Sequence, residues 1–189
     1  MAVKTQVVKK RKKSWVKIVA PQFLGNAFLG ESLVQDKEDL VSKYLSLNLS
    51  TFTNDMKKQS IIVKFRAISV VDNQAQTNVV GLELTNSYMK RLVRRGKSKV
   101  SDSFVANTRD NKKLRIKPLI ITNSKTNNSL QSKIRVEAKA LILESVKKLS
   151  ADEFFENIIN TKIQRDLKDK LSKIYPLRYV DMYKCSIEK

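Results

Sequence analysis

The side chains able to act chemically in this sequence are overwhelmingly cationic, and they come in groups. Lys9-Lys10-Arg11-Lys12-Lys13 is followed by Lys17; Lys90-Arg91 by Arg94-Arg95, Lys97 and Lys99; and Arg109 by Lys112-Lys113, Arg115 and Lys117. Cations at this density do electrostatic work on a polyanion, Lys as a point charge and Arg as a fork of donors matched to phosphate oxygens. Other chemistry is scarce. The absence of His removes Ser/His, Cys/His and His-metal arrangements together. The lone Cys185 excludes an intramolecular disulfide, fits a reducing compartment and reads as a small buried hydrophobe. Four glycines are too few for a phosphate-binding loop, and neither G-x-x-x-x-G-K nor G-x-G-x-x-G occurs. The paired carboxylates Glu38-Asp39 and Asp152-Glu153 fall in loops or at helix starts, where the helix dipole explains them. No catalytic residue, metal site or cofactor is expected.

The cations are concentrated. Of 189 residues, 38 are Lys or Arg and 18 are Asp or Glu, a net charge of +20. Residues 1–17 carry +7 and residues 85–135 carry +12, whereas residues 18–84 and 136–189 carry −1 and +2. A solubilising coat would be even; self-repulsion focused on two segments is offset by a bound polyanion. The pattern is a nucleic-acid footprint. At 41% hydrophobic residues the chain can build a core, and no apolar run reaches the roughly 18–20 residues of a membrane-spanning helix. The start, Met1-Ala2-Val3-Lys4-Thr5, lacks the apolar core of a secretion signal.

The elements that would position these cations follow from periodicity. Residues 1–14 read as a basic arm that orders on its partner. Trp15 to Ala20 alternates and stops at Pro21, a strand with Trp15 as a core aromatic, and Gly25 and Gly30 punctuate a loop. Leu45, Leu47 and Leu49 mark a second strand. Ser60–Val71 and Gln76–Leu84 form a hairpin about Asp72-Asn73. From an N-cap at Thr85, a helical wheel sets Tyr88, Met89, Leu92 and Val93 against Lys90, Arg91, Arg94 and Arg95, with Gly96 as the C-cap. Val100–Thr108 and Leu114–Thr122 are strands about the turn Arg109-Asp110-Asn111. Leu130, Ile134, Ala138, Leu141 and Ile142 mark a long helix ending near Leu149, and Ser150 and Glu153 form a capping box for the next. Asn160-Thr161 breaks that helix before a third, Ile163 to Ile174. Leu177 to Ile187 is a final strand.

Together these predict an α+β fold: an antiparallel β-barrel or strongly curved sheet of about seven strands with flanking helices. One domain is expected over residues 15–189, strand-rich at 15–122 and helical at 129–174, closed by the strand 177–187 and preceded by the arm 1–14.

Several blocks resemble a known family. Trp15-Val16-Lys17-Ile18-Val19-Ala20-Pro21 with Gly30-Glu31 is similar to the opening of the archaeal branch of the small-subunit ribosomal protein family S-three-a-e (e-S-one in the unified naming). Gly81-Leu82-Glu83-Leu84-Thr85, Tyr88 and Arg91-Leu92-Val93-Arg94-Arg95 resemble its basic helix. Lys112 to Ile121, Lys133-Ile134-Arg135 and Ile174-Tyr175-Pro176-Leu177-Arg178 resemble later blocks, in the same order. Residues 48–54 lack the family's Gly-Asp-Leu turn, and Gly96 stands where a third Arg of the basic run is expected. The resemblance implies a β-barrel flanked by helices and a structural, non-enzymatic protein on the platform of the small subunit, near the messenger exit. It implies a cytoplasmic location, with small-subunit ribosomal RNA, neighbouring platform proteins and messenger RNA near the exit as partners, and no membrane or small-molecule substrate.

The RNA-binding residues expected are those of the three cationic groups, with Lys133 and Arg135 added from the family blocks. Contacts would run mainly to phosphate backbone and RNA shape, because no base-reading motif is present. The alternatives are a non-ribosomal basic protein that compacts nucleic acid and an enzyme with an unrecognised carboxylate site.

Overall fold

The structure, a computed structural model, describes residues 13–188. The chain forms β1 (Ser14–Val19), β2 (Phe28–Val34), β3 (Tyr44–Asn48), α1 (Leu49–Thr53), β4 (Ile61–Val71), β5 (Gln74–Leu84) and α2 (Asn86–Leu92). It continues as β6 (Lys99–Ser101), β7 (Phe104–Asn107), β8 (Lys113–Thr122), α3 (Asn128–Lys148), α4 (Ala151–Ile159), α5 (Lys162–Leu171) and β9 (Leu177–Ile187).

The fold is α+β, as expected, but the described residues form nine strands and the sheet is open. Its main path runs β2-β1-β5-β9-β8-β6, with β3-β4 branching from β5 and β7 pairing with β8. β4 occupies one edge of β5 from end to end, while β1 and β9 share the other edge. The sheet therefore branches at β5, and among the described residues no ladder joins the outer strands into a barrel. Pairing is antiparallel except between β1 and β5, where Lys17, Ile18 and Val19 run parallel to Gln74, Ala75 and Gln76. The buried Thr77 hydroxyl ties that junction by donating to the Val19 carbonyl at 2.8 Å.

The central hairpin follows its sequence. Asp72 and Asn73 both take positive φ, 45° and 63°, which sets a two-residue turn whose twist matches the strands it joins. Alternation along β4 buries Val63, Phe65 and Ala67. The same alternation corrects the reading of Trp15: Val16 and Ile18 point inward, so Trp15 faces out and is 62% exposed. The segment around Gly30, read as loop, is β2, paired with β1 along its whole length. The stretch 100–108 is two strands, interrupted at Asp102-Ser103.

The apolar core lies between the sheet and α3–α5. Ile134, Ala138, Ile142 and Val146 recur every fourth residue on α3, and with Phe154, Phe155 and Leu167 they meet Leu114, Ile116 and Ile120 of β8. The other face of β8 supports a smaller cluster, in which Leu92 of α2 packs on Leu119 and Ile121 beside Tyr88, Met89 and Tyr183. β8 is thus covered on one face by α3–α5 and on the other by α2. Pro118, which has no N–H to give, sits at a slip in the β8–β9 register. The capping box of α4 is present: the Glu153 amide donates to Ser150 Oγ and the Ser150 amide to Glu153 Oε2. Among the described residues no helix is long and apolar enough to cross a membrane.

Candidate nucleic-acid interface

α2 is shorter than its sequence pattern. It ends at Leu92, and Val93 leaves the helical region at φ −81°, ψ 100°. Arg94 and Arg95 therefore stand on a turn, not one helical turn above Lys90 and Arg91, and Gly96 follows with φ +80°. That backbone favours glycine over the arginine the family run suggests. Arg94 Nε donates to the Arg91 carbonyl at 3.4 Å, placing a cation against the negative end of the helix.

This turn meets the start of β9. Tyr88, Arg91, Leu92, Arg94, Arg178 and Tyr179 line one trough of about 350 Å³. The Arg91 guanidinium lies 5.2 Å from the centre of the Tyr88 ring, and that of Arg178 5.5 Å from the centre of Tyr179. Arg178 and Tyr179 also border a second groove, of about 200 Å³, whose far side carries Arg165 and Lys168 of α5. Among the described residues none of these arginines and lysines makes an ion pair. The acid here is Asp181, whose carboxyl is pushed above the usual range by burial and accepts a bond from the Met182 amide at 2.9 Å.

Lys97 lies close enough to Arg94, Arg178 and Tyr179 for their charges to act on it. Its Nζ is closed off from solvent and has no hydrogen-bond partner. Burial, then the positive charges of Arg178 and Arg94, push its pKa below the lysine value of 10.5. An ammonium beside guanidiniums, with no acceptor, strengthens the positive field that the trough presents to an anion.

The cations continue over the outer face of the sheet. Lys99, Asp102, Lys117, Met89 and Tyr183 border a groove of about 400 Å³. Next to it, Lys117, Lys184 and Glu83 occupy successive strands in register. Lys64 donates to Glu83 at 2.7 Å, and Lys184 lies 3.8 Å from the same carboxylate. One acid thus serves several lysines, and the Lys64 hydrogen bond holds its pKa below 4.5.

The remaining expected residues are elsewhere. Lys9, Lys10, Arg11 and Lys12 lie outside the described residues; Lys13 is exposed just before β1, which already begins at Ser14. Lys17 is opposite Glu31 and beside Gln74, about 30 Å of strand away from the end of β5 that leads into α2. Arg109, Lys112 and Lys113 cluster at the β7–β8 turn, the far end of β8 from α2, where the Asp110 carboxylate accepts from the Ala151 amide. Arg115 is ion-paired with Glu188. Lys133 and Arg135 are exposed on α3, which packs on the opposite face of β8 from α2. The single +12 stretch of sequence is therefore dispersed in the fold, over the α2 side of the sheet, the β7–β8 turn and the start of α3. Sequence reasoning missed Arg165, Lys168, Arg178 and Lys184, which belong to a nearly neutral segment; the nearest hint was the block ending at Arg178.

Trp15 and Cys185 take no part. Trp15 faces away from the core on β1, and Cys185 is buried, its thiol pushed far above the ordinary value by burial.

Comparison with known proteins agrees with the resemblance read from the sequence. The model of the Ribosomal S3Ae family matches residues 2–189. The small ribosomal subunit protein eS1 of Desulfurococcus amylolyticus is 33% identical over 175 residues, 93% of this chain and 82% of that protein. The protein of the same name from Nanoarchaeum equitans is 31% identical over 166 residues, 88% and 84% of the two chains. That of Methanosphaerula palustris is 29% identical over 192 residues, 100% and 97% of the two.

Proposed function

The chain belongs to the Ribosomal S3Ae family, and from that membership we propose that it is a structural constituent of the small ribosomal subunit, holding ribosomal RNA by phosphate backbone and shape. Its place is the platform near the messenger exit, in the cytoplasm, with ribosomal RNA, neighbouring platform proteins and messenger RNA as partners. It is a structural protein and not an enzyme.

The observation that carries this reading is the convergence of Arg91 and Arg94, at the end of α2, with Arg178 of β9 on one trough, with Lys97 close to Arg94 and Arg178, and none of the four making an ion pair among the described residues. Assembling these charges raises the energy of the free protein, and RNA phosphates lower it again while releasing counterions. The cations of the outer sheet face extend the same surface. Those at the β7–β8 turn and on α3 make a second set of contacts, and the arm 1–14 a third. Residues 15–189 act as one domain that displays the first two sets, and the arm precedes it.

The test is an Arg91/Arg94/Arg95→Glu variant, its fold checked by circular dichroism, titrated with small-subunit RNA over a range of salt. Weaker binding with a shallower salt slope is expected. Unchanged affinity and slope would remove the assignment. A compacting protein would instead bind duplex DNA and structured RNA alike.

A further inference from the structure

The trough carries something that phosphate binding alone does not need: two tyrosine rings, each with a guanidinium already on it. We propose that it receives an unpaired RNA nucleotide, with the base stacked on the Tyr179–Arg178 pair and the phosphate taken by Arg91 and Arg94, within the positive field of Lys97. The proposal rests on the reading of this face as RNA-binding and names what that face selects.

Three features support it. The rings are accessible from the trough: Tyr179 is 37% exposed, and both tyrosines line it. A ring or guanidinium plane offers a flat partner to any base, but a duplex keeps its base faces inside the stack, so only an unpaired nucleotide can use one. The trough, at about 350 Å³, falls within the roughly 300–1,000 Å³ range of sites for small organic groups, whereas a duplex backbone needs only an open surface. The Lys97 ammonium supplies the third feature, a cation without a hydrogen-bond partner whose charge acts on Arg94, Arg178 and Tyr179 of the walls. Tyr88 is fixed from below by the small α2 cluster, and α2 is tethered to β9 by the Tyr183 hydroxyl, which donates to Asn86 Oδ1 at 3.1 Å. The walls are therefore held in place before any ligand arrives.

The full-length chain is titrated with a fluorescent single-stranded RNA of about ten nucleotides, with the same strand carrying abasic sites, and with its duplex. The intact single strand is expected to bind roughly tenfold or more tightly than the abasic strand. Tyr179→Ala should abolish that preference, Tyr179→Phe should keep it, and neither should alter duplex binding. Equal binding of intact and abasic strands, or a preference that survives Tyr179→Ala, overturns the proposal. The Arg91/Arg94/Arg95→Glu variant separates the two levels: if all three probes still bind it fully, the RNA-binding reading fails; if all weaken while the preference ignores Tyr179, only the nucleotide site fails.

Discussion

A β-carbon placed on Gly81 would lie 2.8 Å from the carbonyl oxygen of Cys185. The last strand of the chain therefore runs against β5 at a distance that only glycine permits, and Gly81 pairs there with Ser186. This contact inserts β9 into the middle of the sheet and so sets the position of Arg178 and Tyr179 at the strand's other end.

Gly81→Ala is expected to destabilise the protein by about 1–3 kcal/mol, because the clash is with backbone and no side chain can swing away. Denaturant unfolding measures it; a midpoint equal to wild type would show that the strands separate freely.

Ser150→Ala should cost about 1 kcal/mol, the usual value of an N-cap, since it removes the acceptor of the Glu153 amide. The check is thermal unfolding. Glu153→Gln keeps an acceptor for the Ser150 amide and is expected to cost less.

Where local rules govern, the sequence was readable. Asp72-Asn73 announces its turn and Ser150 with Glu153 its helix start, because turn and cap chemistry involve neighbours in the chain. β2 reads as a loop in the sequence because two glycines resemble punctuation, although Gly30 is paired within the ladder. α2 is shorter than its pattern because wheel geometry extends through Val93 to Arg95, while the chain must turn there to enter β6. The site was half legible. Arg91, Arg94 and Lys97 stand out by density, but Arg178, Arg165 and Lys168 join them only through the packing of α5 and β9, which no local pattern encodes. The same packing separates Arg109, Lys112 and Lys113 from residues they adjoin in sequence.

Glu83 makes stability depend on pH. Its folded pKa is depressed, first by the Lys64 hydrogen bond, so its contribution is complete above the ordinary 4.5 and is lost as pH falls through the lower folded value. Wild type and Glu83→Gln should differ in melting temperature at pH 7 and converge at acid pH. Parallel curves would remove Glu83 from the balance.

Lys97→Met should separate stability from function. It exchanges a buried, unpartnered ammonium for an apolar chain of similar length, so melting temperature should hold or rise while RNA affinity falls. Loss of both would mean that Lys97 is a structural element; loss of neither would mean that its charge does not act on the RNA.

The most direct measurement is co-sedimentation with small ribosomal subunits at moderate salt, comparing wild type with Arg91/Arg94/Arg178→Ala. The expected result is stoichiometric recovery of the wild-type chain with the subunit, and release of the variant at lower salt because fewer phosphates are neutralised. A wild-type chain that stays at the top of the gradient, or a variant released at the same salt, would contradict a ribosomal role for this trough.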